Sequence, residues 1–216
     1  MMRVLFTMLF ALFAAPVAAQ ETPVEPSALA PGLENILYLD LSTGGRVTIA
    51  LRPDRAPNHI ERIKTLVRQG FYDGIVFHRV IDGFMAQTGD PKGTGEGGSD
   101  LPDLKAEFND LPHVRGAVSM ARTGDPDSAN SQFFIMFQPL LRLDRDYTVF
   151  GRVVDGMQWV DKIARGEPPA NPSRILQASI GVDQKAPPEF PQPVEAVPDP
   201  LAAEAAKLLE GAAPAQ

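Results

Sequence analysis

The run Phe77-His78-Arg79-Val80-Ile81-Asp82-Gly83-Phe84-Met85-Ala86-Gln87-Thr88-Gly89-Asp90-Pro91 holds the residue types best suited to chemistry. Arg79 and Gln87 are polar groups inside otherwise apolar, strand-like stretches. Successive side chains of a strand point to opposite faces, so Phe84 and Met85 cannot both face one core, and part of the run must line a surface site. Polar residues at a barrel edge would explain the alternation, but not an Arg and a Gln beside exposed Phe and Met. Together these four types make an apolar pocket with one fixed cation, suited to a neutral hydrophobic group with a polar amide next to it.

Other chemistries lack their spacing. His59, His78 and His113 show no short ligand interval, so no metal site is expected. Ser119, Ser128 and Ser131 lack the G-x-S-x-G elbow, and no histidine stands in a recognisable sequence relation to them. Gly93 to Gly98 matches G-x-G-x-x-G, but Ser99-Asp100-Leu101-Pro102 follows where a phosphate-binding helix should begin, so a mobile surface loop is expected. The chain has no cysteine, which excludes disulfides, a thiol nucleophile and a Cys-ligated metal. A formal net charge of -7 speaks against a nucleic-acid partner. No cofactor is implied.

These residues need elements to hold them. Asn35 to Leu41 and Arg46 to Leu51 read as a hairpin around Ser42-Thr43-Gly44-Gly45. Pro57-Asn58 opens a helix with Ile60, Ile63, Leu66 and Val67 on one face, ended by Gly70. Strand-like runs follow at Val76 to Val80, Phe84 to Thr88, Ala117 to Ala121, Phe133 to Phe137 and Thr148 to Val154, and a second helix is expected over Met157 to Arg165. Short strands, Gly-rich connections and two isolated helices fit a mainly β fold, a closed or nearly closed antiparallel barrel with helical caps.

Around this domain, placed at residues 33–182, lie three other segments. Arg3, the apolar run from Val4 and the small residues Val17-Ala18-Ala19 read as a signal peptide over 1–19, cleaved before Gln20. The run is shorter than the ~20 residues that span a bilayer, so no stable membrane insertion is expected after cleavage. Residues 20–32 read as a Pro-rich tether, and 183–216 as a disordered Pro/Ala-rich tail with a short helix over 201–210.

The run Phe77 to Pro91 resembles the signature of cyclophilin-type peptidyl-prolyl cis-trans isomerases. So do Ser119-Met120-Ala121-Arg122, Asn130-Ser131-Gln132-Phe133-Phe134-Ile135 and Val149-Phe150-Gly151-Arg152-Val153, in the family's order and spacing. The likeness spans Glu34 to Val182. It implies an eight-stranded barrel capped by two helices, with Arg79 as the catalytic arginine and Gln87 as the glutamine that helps hold it. Phe84, Met85, Phe134 and Leu143 would wall a proline pocket, with Tyr147 beside it. Ala121, Arg122 and Gln132 would line the groove for residues preceding proline. Arg142 stands where many eukaryotic members carry a tryptophan that contacts cyclosporin, and Tyr147 replaces a histidine, so the resemblance extends to the isomerase core and not to cyclosporin sensitivity.

The resemblance thus implies rotation about X-Pro bonds in unfolded or folding proline-containing polypeptides, by a monomer exported to the periplasm if the source is Gram-negative. The alternative is a chaperone or assembly module of the same shape with little turnover.

Overall fold

A computed structural model of the chain describes residues 32–191. The leader over 1–19, nearly all of the tether and the tail beyond Pro191 lie outside the described residues.

Eight strands form one antiparallel sheet: β1 (Ile36–Leu41), β2 (Gly45–Leu51), β3 (Arg79–Ile81), β4 (Met85–Thr88), β5 (Ala117–Met120), β6 (Phe133–Met136), β7 (Val149–Asp155) and β8 (Ile175–Ile180), in spatial order β3-β4-β6-β5-β7-β2-β1-β8. Period-two alternation is clearest in β2, where Val47, Ile49 and Leu51 are buried between half-exposed neighbours. In β6 both faces are covered. Phe133 and Ile135 join the main core with Leu37, Leu39, Val118 and Phe150, while Phe134 and Met136 belong to a second cluster on the opposite face with Met85, Ala117 and Val149. The second cluster carries the candidate site.

Helix α1 (Pro57–Arg68) starts on a proline, whose missing N–H costs nothing at a helix N-terminus, and buries Ile60, Ile63, Leu66 and Val67 against the main core. Helix α2 (Met157–Asp161) is shorter than expected. Its continuation gives way to a turn that brings Gly166 alongside Val80, with Val80 N–H donating to Gly166 O at 2.8 Å and Gly166 N–H to Val80 O at 2.9 Å. Gly45 fixes where α2 sits, because a Cβ there would lie 2.3 Å from the Trp159 ring.

The strand ladders do not show a fully closed barrel. The sheet curls into a half-barrel whose edge strands, β3 and β8, share no ladder. Contact between the two ends is made before β3: Val76 bridges Arg174, Phe77 N–H donates to Ser173 O at 2.8 Å, and Ile175 of β8 accepts from Gly74 N–H at 2.7 Å and donates to Ile75 O at 2.9 Å. The run expected as a strand from Val76 is a strand only from Arg79: Val76 and Phe77 pair with Arg174 and Ser173, whereas the outer edge of β3 pairs with Gly166. Beyond the boundary expected at Val182, Asp183 pairs with Arg68, and the Ala186 carbonyl accepts from Gln177 Nε2 at 2.9 Å. None of the helices among the described residues is long and apolar enough to cross a membrane.

Candidate functional site

The strand register builds the site row by row. Arg79 on β3 lies opposite Gln87 on β4, Gln87 opposite Phe134 on β6, and Phe134 opposite Ser119 on β5. The tight turn between β3 and β4 is closed by Phe84 N–H donating to the Ile81 carbonyl at 3.1 Å, and Met85 is buried at the start of β4. From the other side a 3-10 turn at Leu141–Leu143 presents Leu143, and Tyr147 N–H donates back to the Leu143 carbonyl at 3.2 Å. Arg79, Phe84, Met85, Gln87, Ala121, Arg122, Phe134, Leu143 and Tyr147 together line a cavity of about 120 Å³. Every residue expected from the sequence is here except Gln132. Gln132 lies in an adjoining groove of about 470 Å³, which shares Gln87, Ala121 and Arg122 with the cavity.

Aromatic packing sets the cavity floor. Phe134 stacks on His113 with ring centroids 6.1 Å apart and meets Tyr147 edge-on at 5.8 Å. Arg122 closes the rim: its guanidinium sits 4.5 Å over the Tyr147 ring and donates to Asp146, tying the Ala121–Thr123 segment to the Leu143–Tyr147 segment. The side chain of Arg122 is thus a wall component.

Beneath the floor lies an arrangement that the sequence did not reveal. Buried His113 approaches Asp144 Oδ1 at 2.9 Å through Nδ1 and Ser119 Oγ at 3.1 Å through Nε2. The fold therefore brings a histidine beside Ser119, a neighbour that the spacing in the sequence does not reveal. Ser119 is fully buried, and its hydroxyl also donates to the Thr148 carbonyl at 3.0 Å, so the trio is a support under Phe134 and not an accessible nucleophile. Burial pushes the His113 imidazole down, against the upward pull of Asp144.

Gln87 makes no hydrogen bond to Arg79 in this structure. Its Nε2 donates to Gln132 Oε1 at 2.8 Å, and Gln132 Nε2 donates in turn to the carbonyls of Gly95 at 2.9 Å and Gly97 at 2.7 Å. Facing Arg79 across the strand pair, Gln87 is already engaged by the groove wall. The partner of Arg79 is Glu167, whose Oε2 accepts from Nε at 2.8 Å. Sequence reasoning missed Glu167 because the two residues are 88 apart in the chain and only the Gly166 pairing joins them.

The Gly93 to Gly98 loop is pinned, contrary to the mobile loop expected. Asp90, itself buried, accepts from the amides of Lys92 at 2.8 Å, Thr94 at 2.8 Å and Gly95 at 2.6 Å. Burial alone would raise the Asp90 carboxyl, but donation from the Lys92, Gly97 and Gly95 amides and the Thr94 hydroxyl outweighs it and holds the group at about 2. Gly97 packs so closely that a Cβ would lie 2.0 Å from Asp90 Oδ1. The loop amides that a phosphate would need are occupied by this carboxylate.

The cavity thus has apolar walls with two arginines, Arg79 and Arg122, on its lining, and opens beside a polar groove. The sequence profile of the family described as cyclophilin type peptidyl-prolyl cis-trans isomerase/CLD matches residues 38–180. A Brucella suis protein named "Probable peptidyl-prolyl cis-trans isomerase" is 48% identical over 191 residues, covering 81% of this chain and 97% of the relative. The crystal structure of cyclophilin AquaCyp293 from Hirschia baltica is similar with a TM-score of 0.66 and 32% identity, over 73% of this chain and 77% of that one. A Cryptosporidium parvum cyclophilin type peptidyl-prolyl cis-trans isomerase, crystallised in the presence of the dipeptide Ala-Pro, gives a TM-score of 0.63 at 28% identity, over 67% of this chain and 98% of that one. With the profile spanning more than half its length and the site residues brought together on the sheet, the chain belongs to the cyclophilin-type peptidyl-prolyl cis-trans isomerase family.

Proposed function

We propose that the isomerase activity of this family is carried out here by Arg79 at the mouth of the Phe84, Met85, Phe134, Leu143 and Tyr147 cavity, on proline-containing polypeptides that are unfolded or still folding. The observation that carries the reading is that one cavity gathers the guanidinium and the apolar walls from four separate chain segments. The dipeptide Ala-Pro supplied to the Cryptosporidium relative has the same chemistry as the proposed substrate.

An X-Pro bond is held planar by amide resonance behind a barrier of ~18–20 kcal/mol, and exchanges uncatalysed in tens of seconds or longer. Rotation needs no nucleophile. It requires the prolyl nitrogen to lose conjugation and become pyramidal, so a donor aimed at that nitrogen binds the twisted state better than either planar one. Arg79 supplies a permanently charged planar donor, and the cavity holds the pyrrolidine ring while the preceding residue swings. Bringing seconds to milliseconds, about 10⁴-fold, takes ~5–6 kcal/mol, within reach of one charged hydrogen bond in a low-polarity pocket plus ring immobilisation. Ala121, Arg122 and Gln132 position the residues before proline along the adjoining groove.

Arg79→Ala should lower kcat/KM for a short X-Pro peptide by two or more orders of magnitude, a loss of ~3 kcal/mol of transition-state stabilisation, with little change in Tm. Activity within threefold of wild type would remove Arg79 from the mechanism.

The reading extends to place. The positive start, apolar run and small residues before Gln20 support export of the isomerase, to assist the folding of exported proteins, in the periplasm if the source is Gram-negative. N-terminal sequencing of the protein from its native source tests this: a mature chain starting at Gln20 supports export, and an intact Met1 sinks it.

A further inference from the structure

We infer that Glu167 is a positioning residue for Arg79, an anion that grips the guanidinium by its Nε and leaves the terminal nitrogens for the substrate. The inference rests on the isomerase reading above. It begins with the backbone. The bridge Val80↔Gly166 is antiparallel, so one step back along β3 and one step forward along the other segment bring Arg79 and Glu167 face to face. The contact, 2.8 Å from Nε to Oε2, is the pairing this register imposes.

The segment that delivers Glu167 is held by contacts independent of it. Gly166 has φ +143, and a Cβ there would lie 2.6 Å from the Pro169 Cα, so the turn requires glycine. On its other side Arg165 donates to Asp82 at 3.1 Å and lies 4.1 Å from the Phe137 ring centroid. An exposed ion pair gains little when two long side chains must order themselves to meet, and these two are 42% and 52% exposed. Here the backbone has already aligned them.

Two further observations give the contact a role in catalysis. Among the described residues the Arg79 side chain has no hydrogen-bond partner but Glu167, and the Gln87 amide nitrogen opposite it turns to Gln132 instead. Arg79 lines both the proline cavity and a second groove shared with His78, Thr94, Glu167 and Pro168, whereas Glu167 lines the second groove alone. The carboxylate therefore holds the guanidinium from outside the cavity, and because the group is planar, fixing Nε fixes the direction of its remaining four donors.

The test measures kcat and KM for Glu167→Ala and Glu167→Gln beside wild type and Arg79→Ala, together with the ¹⁵N–¹H signal of Arg79 Nε. Expected for Glu167→Ala is a fall in kcat of threefold or more, with KM within twofold of wild type and a displaced Nε signal. Glu167→Gln, whose amide oxygen can accept the same bond, should recover at least half of the lost kcat. In an Arg79→Ala background, Glu167→Ala should have no further effect. A kcat within threefold of wild type in Glu167→Ala, a loss that falls on KM alone, or an unmoved Nε signal would overturn the inference and leave the isomerase reading standing. A wild-type protein that fails to turn over an X-Pro peptide would overturn both.

Discussion

Removing the ring of Phe134 separates what the cavity floor contributes to folding from what it contributes to turnover. Phe134 is 5% exposed, belongs to the smaller apolar cluster and touches both His113 and Tyr147. Phe134→Ala in a sealed core would cost ~3–5 kcal/mol, part of it for the void left behind. Here one face of the ring opens on the 120 Å³ cavity, so water fills the space and the void contribution largely disappears. What remains is the transfer of about 100 Å² of ring surface, ~2.5 kcal/mol, plus ~0.5–1 kcal/mol for the lost edge-on aromatic contact. A net cost of about 3 kcal/mol should lower Tm by ~6–12 °C in a domain of this size and leave it folded at room temperature. With the pyrrolidine ring no longer held, kcat/KM should fall by roughly two orders of magnitude in the same preparation. Urea unfolding followed by circular dichroism gives the first quantity and a peptide isomerisation assay the second. Turnover within threefold of wild type would show that Phe134 is only a core residue, and a stability loss above ~5 kcal/mol would show that the cavity is not open to water.

Two other outcomes follow from the same contacts. Burial lowers the pKa of His59, His78 and His113 below the ordinary value of 6.5, so the unfolded chain takes up protons that the folded chain refuses. Stability should be full above pH ~6.5 and decline as pH falls below it, by at most ~1.4 kcal/mol per pH unit for each histidine; equal urea midpoints at pH 7.5 and 5.5 would contradict this. Gln132→Ala removes the acceptor of Gln87 and two donors to the Gly95 and Gly97 carbonyls, and should raise KM severalfold while kcat stays within twofold, since Gln132 lies outside the cavity; steady-state kinetics showing the loss in kcat instead would place Gln132 at the reacting bond.

The site was legible in sequence to the extent that it is made by strand periodicity. Arg79, Gln87 and Phe134 form one row because short antiparallel strands with two covered faces impose their own register, and the motif order carried Leu143 and Tyr147 along with them. What escaped depends on contacts with no periodic signal. Glu167 sits in a Gly-Pro-rich segment that reads as a loop, and its meeting with Arg79 exists only through the Val80↔Gly166 bridge. His113, Ser119 and Asp144 are joined by burial, which spacing does not encode. Strand β8 was not among the seven runs located in the sequence, because Gln177 and Ser179 break the apolar pattern that tertiary burial later supplies. The second helix was drawn too long because Ile163 is buried and on the helical face, yet it reaches the core from a turn. Strands β3 and β8 share no ladder for a related reason: the outer edge of β3 pairs with the segment that delivers Glu167.

The central claim is turnover at the prolyl bond, and exchange spectroscopy on a short Ala-Pro peptide tests it without a coupled enzyme. With purified protein spanning 20–216 at a few per cent of the peptide concentration, cis and trans signals that exchange over tens of seconds alone should merge into exchange on the millisecond to sub-second scale. Peptide signals that shift on binding while the cis-trans exchange rate stays at its uncatalysed value would contradict the account and leave a cyclophilin-shaped binding module in its place.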